Sequence, residues 1–175
     1  MNLKNYYLIE IQFLGYRFHG WQKQPKLKTV HLMIDRTINY VLENNKFKTL
    51  GAGRTDAMVS ANQTAFELFT EFPILNPEEF FKLLNTNLPQ DIRALNIKPV
   101  TKEFNVINHS KIKEYKYLFS EGSKNHPYCS PFITTFLDNL NINLMKEGAE
   151  LFEGEHNFKS YCYKPNENGI FDREI

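Results

Sequence analysis

The sequence predicts an α+β fold for its first hundred residues, and three observations carry that prediction. Apolar and polar residues alternate in several short runs, the two-residue period of a strand with one buried face. Two other runs repeat their apolar residues every three or four positions, as a helix with one buried stripe requires. Capping and chain-breaking residues fall between the two kinds of run. The resulting order, β-α-β-β-α-β, is the split arrangement of ferredoxin-like folds.

The first strand is read from Tyr7, Ile9, Ile11 and Phe13, which alternate with Leu8, Glu10 and Gln12. Gly15 and Gly20 punctuate the loop that follows. Thr29 is placed to cap a helix whose apolar face is Val30, Ile34, Ile38, Val41 and Leu42. Asn44-Asn45 ends it, and Phe47 to Leu50 forms a short second strand before Gly51-Ala52-Gly53. Gln63 to Phe69 gives the third strand, with Thr64, Phe66 and Leu68 opposite Ala65, Glu67 and Phe69. Asn76-Pro77-Glu78-Glu79 then opens a helix, with a cap, a proline at the first helical position and acids in the first turn. That helix carries Phe80, Phe81, Leu83 and Leu84, and a fourth strand follows from Ile92 to Ile97.

The second half begins similarly. Strands are expected over Glu114 to Ser120 and Ile133 to Leu137, then a helix capped by Asn143 and closed at Phe152-Glu153-Gly154. Arg173-Glu174-Ile175 reaches the threshold of another strand. The division expected is a domain over residues 1–108 and the first part of a second α+β domain over 109–175. A half-finished second unit leads to the expectation of a C-terminally truncated chain.

Composition narrows the function classes. Hydrophobic residues make up 42% and aromatic residues 14% of the 175, too apolar for a disordered chain. A net charge of +1 neither announces nor excludes a nucleic-acid partner, since a local cleft can be basic within a balanced whole. Leu3 to Glu10 lacks a signal-peptide core, and no run approaches the roughly 20 apolar residues of a membrane span. Cys129 and Cys162 make no disulfide or zinc framework, and the five histidines are scattered, so no metal is expected and a cytoplasmic location is the simplest.

Four segments stand out beyond patterning. They are Ile11-Gln12-Phe13-Leu14-Gly15-Tyr16-Arg17-Phe18-His19-Gly20-Trp21-Gln22-Lys23-Gln24, then Gly53-Arg54-Thr55-Asp56-Ala57-Met58-Val59-Ser60-Ala61, then Leu84-Asn85-Thr86-Asn87-Leu88-Pro89-Gln90-Asp91-Ile92, and Glu114-Tyr115-Lys116-Tyr117. In this order and spacing, from about Tyr7 to Ile175, they resemble the tRNA pseudouridine synthase A family. Four departures accompany the resemblance. Met58 stands where the family usually has Gly, Ser60 where it has His, Leu14 where it has an acid, and His31 where it has Gln. Phe104-Asn105-Val106-Ile107-Asn108 also replaces a Phe-His-Ala-Arg-Phe stretch.

The resemblance implies an isomerase that converts uridine to pseudouridine in the anticodon stem-loop of tRNA, at positions 38–40, without a cofactor. It implies two half-sheets joined into one central antiparallel sheet, a homodimer, and a second-half arginine that would pair with the catalytic aspartate but lies beyond Ile175. Asp56 is then the catalytic carboxylate, and covalent or base catalysis by an ionised aspartate is established chemistry. Arg54 is expected to meet phosphate or fill the space left by a base turned out of its stem, and Tyr115 to stack on that uracil. Arg17, Lys23, Lys26, Lys28, Lys111 and Lys113 are expected phosphate contacts.

Each residue also has a plainer reading. An aspartate in a glycine-rich loop is commonly a turn residue, Tyr115 is a strand-core aromatic beside Tyr117, and Trp21 is either a buried plug or a stacking platform. Asn85, Asn87 and Asp91 read as structural. At the level of function, a non-catalytic RNA-binding module is the main alternative, since aromatic-bearing sheets of this shape also bind RNA. A hydrolase using Asp56 would need nearby Mg²⁺-ligating carboxylates, and the sequence around it supplies none.

Overall fold

β1, Asn5–Phe13, lies inside the sheet of the computed structural model, which describes residues 3–109, 112–167 and 169–175. The alternation in β1 sends Tyr7, Ile9, Ile11 and Phe13 to one face, where all four are buried. α1 (Val30–Val41) follows, then β2 (Phe47–Gly51), β3 (Ala61–Thr70), α2 (Pro77–Asn87) and β4 (Ile92–Val100). The strands are ordered β2-β3-β1-β4, with every neighbouring pair antiparallel. Both helices contribute to the core on the Ile9 face: Val30, Ile34 and Ile38 from α1, Phe80 and Leu84 from α2, against Phe66 and Leu68 of β3. Each such side chain contributes roughly 1.5–3 kcal/mol through burial.

Both helix starts match the sequence reading. The Thr29 hydroxyl accepts from the Leu32 N–H at 3.3 Å, and the Asn76 side chain accepts from the Glu79 N–H at 3.1 Å. Asn85 and Asn87 are structural as expected. Asn85 bonds both the N–H and the C=O of Ala94 on β4, and Asn87 donates to the Leu83 carbonyl.

The opposite face of the sheet is also covered. Leu8, Ala52 and Val106 form a second small cluster there with Leu50, Ala65, Val100 and Phe104 around it. Glu67 stands in register with Leu8 and Leu50 and is only 1% exposed. One carboxylate oxygen accepts the Val106 N–H at 3.3 Å, and the other has no hydrogen-bond partner. Burial therefore pushes the Glu67 carboxyl above its ordinary value, partly opposed by the Val106 bond and by His109. The folded state holds this proton more firmly than the unfolded chain. The linked loss of stability thus sets in as pH rises past 4.5 and is complete above the raised folded value. Glu67→Gln is expected to raise stability at pH 7 by about 1 kcal/mol, with the gain shrinking towards pH 4.5. Urea titrations at the two pH values would check it.

The chain divides into two units, Met1–Lys116 and Tyr117–Ile175. In the second, β5 (Phe119–Glu121) pairs in parallel with β6 (Thr134–Phe136). α3 (Ile142–Glu150) follows, and β7 (Glu155–Asn157) pairs antiparallel with β8 (Asp172–Glu174). None of this unit's described residues is buried. Two expectations are corrected here. Residues 114–118 form no strand, and only Phe119 and Ser120 of the expected Glu114–Ser120 run lie in one. The alternation supplies two faces but no neighbour to satisfy the backbone, and Tyr115 and Tyr117 are 85% and 70% exposed. The cap of α3 is Asn141, not Asn143: its side chain accepts the Leu144 N–H at 3.0 Å.

Candidate active site

The Gly53-Arg54-Thr55-Asp56 run lies in the connection from β2 to β3, and its shape is set by the loop after β1. The Trp21 N–H donates to the Thr55 carbonyl at 3.0 Å, and the Met58 N–H donates to the Phe18 carbonyl at 3.1 Å. The Gly15 N–H donates to the Ser60 hydroxyl at 2.9 Å. Two glycines let the backbones come this close. A Cβ on Gly15 would sit 2.0 Å from the Val59 carbonyl oxygen, and one on Gly20 would sit 2.6 Å from that of Thr55. Gly20 also has φ of +77°, the left-handed region open to glycine. Two loops are thus laced together along their backbones, with Asp56 at the crest.

Asp56 is exposed, and its side chain makes no hydrogen bond or ion pair with the described residues. Arg54 is likewise exposed and unpaired among them. Lys113 comes to the same loop, with Nζ 3.7 Å from the point a Cβ on Gly53 would occupy. A carboxylate held on a fixed backbone, with two cations in reach of an incoming anion, can act on a sugar or base whose phosphates those cations steady.

Met58 bears a cost for this shape. Its φ is +67°, a conformation in which a side chain with a Cβ is strained by about 1 kcal/mol or more. Met58→Gly is expected to stabilise the chain by about 1 kcal/mol, since 56% of the Met58 surface is exposed and little packing is lost. A rise in the urea midpoint at constant slope would confirm it.

The other expected site residues are placed unevenly. Arg17 donates to Asp91 at 2.8 Å while remaining largely exposed. Asp91 therefore has a structural role, with its backbone carbonyl also accepting the Leu14 N–H at 2.9 Å. Lys23 is ion-paired with Asp35. Lys28 lies over the Phe18 ring, 5.0 Å from its centre. Lys26 is exposed and makes no hydrogen bond or ion pair with the described residues. Lys111 lies outside the described residues. Tyr115 makes no hydrogen bond or ring contact with them, and is not brought to Asp56 by any described contact. Trp21, read two ways from sequence, is a buried plug at 4% exposure.

Sequence reasoning missed Ser60 as an anchor and Gly15 as the point of closest approach. Their partnership spans 45 residues, and only the pair Gly15 and Gly20 bracketing one aromatic-rich loop hinted at it.

No family model matches the chain. Among curated relatives, the chain is 32% identical over 156 residues to tRNA pseudouridine synthase A of Aquifex aeolicus, covering 88% of this chain and 63% of that protein. It is 34% identical over 155 residues to tRNA pseudouridine synthase A of Thermosipho melanesiensis, covering 89% and 63%. Against the protein of that name from Caldicellulosiruptor saccharolyticus it is 32% identical over 169 residues, covering 96% and 68%. The chain thus spans a little under two thirds of the length of the first relatives it matches. At this identity and coverage, with the Asp56 loop inside the matched length, the chain belongs to the tRNA pseudouridine synthase A family.

Proposed function

We propose that this chain is the aspartate-bearing part of a tRNA pseudouridine synthase, a cofactor-independent isomerase acting on uridines of the anticodon stem-loop. The observation that carries this reading is Asp56: an exposed carboxylate without a structural partner, on a loop braced by three long-range hydrogen bonds. The reaction breaks the N1–C1′ bond, rotates the uracil and rejoins it through C5, so it calls for an anionic group beside sugar and base. Asp56 supplies that group whether it acts as nucleophile or as base.

Arg54 and Lys113 are read as partners of the backbone phosphates around the extruded nucleotide, with Lys26 and the exposed side of Arg17 further along the same strand. Lys23 and Lys28 join them if they leave their present partners. Tyr115 is read as the ring on which the uracil stacks. The strand order β2-β3-β1-β4 with two helices on one face supports reading the first domain, residues 1–108, as a ferredoxin-like unit. The second domain, from 109 onwards, then supplies the facing half-sheet, and a homodimer in the cytoplasm binds the tRNA. Among the described residues no helix is long and apolar enough to cross a membrane.

The test is release of tritium from tRNA carrying 5-tritiated uridine, which occurs only when C5 becomes the glycosidic carbon. Both this chain and a form extended to the length of its relatives are assayed. Release by the extended form is the expected result. Tight tRNA binding without release would overturn the proposal in favour of a non-catalytic RNA-binding module.

A further inference from the structure

Beneath the Asp56 loop runs a chain of contacts that the reaction itself does not use. Trp21, whose N–H fixes Thr55, packs its indole against Gly51, where an added Cβ would lie 2.5 Å from the ring. The other side of the indole stacks on His31, with ring centres 5.6 Å apart and planes inclined by 27°. His31 Nε2 is 2.7 Å from the Thr49 hydroxyl, and that hydroxyl donates to Asp35 at 2.5 Å. Asp35 in turn holds Lys23.

This network assigns a tautomer. The Asp35 carboxylate only accepts, so the single hydroxyl proton of Thr49 is directed to it. Thr49 must then accept from His31, which places the neutral ring's proton on Nε2 and leaves Nδ1 bare. A second proton on the ring would put a cation in a largely buried position, stacked on Trp21. The charged groups facing it are Asp35, 3.6 Å away on its own helix, and Lys23 from the preceding loop. β2 contributes only the uncharged Thr49, and the Trp21 indole covers the ring face.

We propose that His31 is a pH-responsive positioning residue for the Asp56 loop, acting through Trp21. Neutral, it holds the indole against Gly51 and the loop in place. Protonated, it competes with Lys23 for Asp35 and loosens the stack on which the Trp21–Thr55 bond rests. Burial lowers the basicity of His31, with Asp35 opposing and Lys23 reinforcing that effect. The neutral form therefore prevails at physiological pH, and the switch lies below the ordinary histidine value of 6.5. Stability linked to this site is fully present above pH 6.5 and declines as pH falls towards the lowered folded value. The positioning role rests on the proposed function of Asp56, whereas the protonation switch does not.

Trp21 is the only tryptophan in the chain, so its emission reports this site alone. An imidazolium quenches a stacked indole more strongly than a neutral imidazole does. Emission of the 175-residue chain is expected to drop on acidification, with one midpoint below 6.5. Asp35→Asn should move that midpoint to lower pH and Lys23→Met to higher pH. His31→Gln, which can still donate to Thr49 but does not titrate, should abolish the transition. Amide exchange of Trp21 and Met58, corrected for intrinsic rates, should rise through the same midpoint in the wild type alone. A transition that survives in His31→Gln, or a midpoint unmoved by Asp35→Asn and Lys23→Met, would overturn the proposal. These readouts need no catalysis, so an extended protein that released no tritium would refute the functional reading and leave the switch standing.

Discussion

Asp56→Asn is expected to cut tritium release by roughly 10²–10⁴-fold or more, the range lost when an essential nucleophile or base is removed. The substitution keeps shape and removes the charge. Because the Asp56 carboxylate makes no hydrogen bond or ion pair with described residues, stability should change by no more than about 0.5 kcal/mol. That separation makes the test sharp: activity collapses while the thermal midpoint stays. The assay belongs on a protein extended to family length, since this chain covers 63% of the first relatives. Wild-type release by the Asn variant would remove Asp56 from the chemistry altogether.

Gly15→Ala should have the largest effect on the fold around the site. Its new methyl would lie 2.0 Å from the Val59 carbonyl oxygen, 2.4 Å from the Val59 carbonyl carbon and 2.9 Å from that of Met58. All three are backbone atoms, so no side chain can swing aside. One loop must move, and the Ser60–Gly15 and Phe18–Met58 hydrogen bonds go with it. The cost is about 3 kcal/mol, at the upper end of overpacking penalties, a fall of roughly 10 °C in thermal midpoint. Calorimetry would show it, and tritium release by the extended form should fall along with the midpoint. A variant as stable as the wild type would mean that the two loops are not in van der Waals contact in solution.

How far the sequence anticipated the structure depended on the range of the interaction. Thr29 and Asn76 cap helices through bonds to residues three positions on, so the local sequence contains the whole device. The alternation in β1 likewise identified the buried face, because a strand's two faces follow from its own period. The same rule misled at residues 114–118, where alternation was present and a neighbouring strand was not. Asn141 and Asn143 lie two residues apart with the same chemistry, and only the observed bond to Leu144 separates them. The polar side of β3 was legible as a face but not as a covered one. Glu67 is buried by residues around Val106, 39 positions away. At the site, the Asp56 loop was legible from motif and family resemblance. The bracing by Gly15, Phe18 and Trp21 was not, since nothing local tells a loop which other loop it will meet.

The double bond from Asn85 to Ala94 has a consequence for assembly. β4 is the outer strand of its sheet, and Ala94 turns its N–H and C=O away from β1, where a fifth strand would bind. The Asn85 amide fills both positions, imitating one residue of the absent strand. Growth of the sheet by a second chain is thereby blocked at mid-strand, where edge-to-edge addition would otherwise find two open partners. A side chain that satisfies the backbone also acts as a terminator, and it keeps a protein with an open sheet edge from templating its own aggregation.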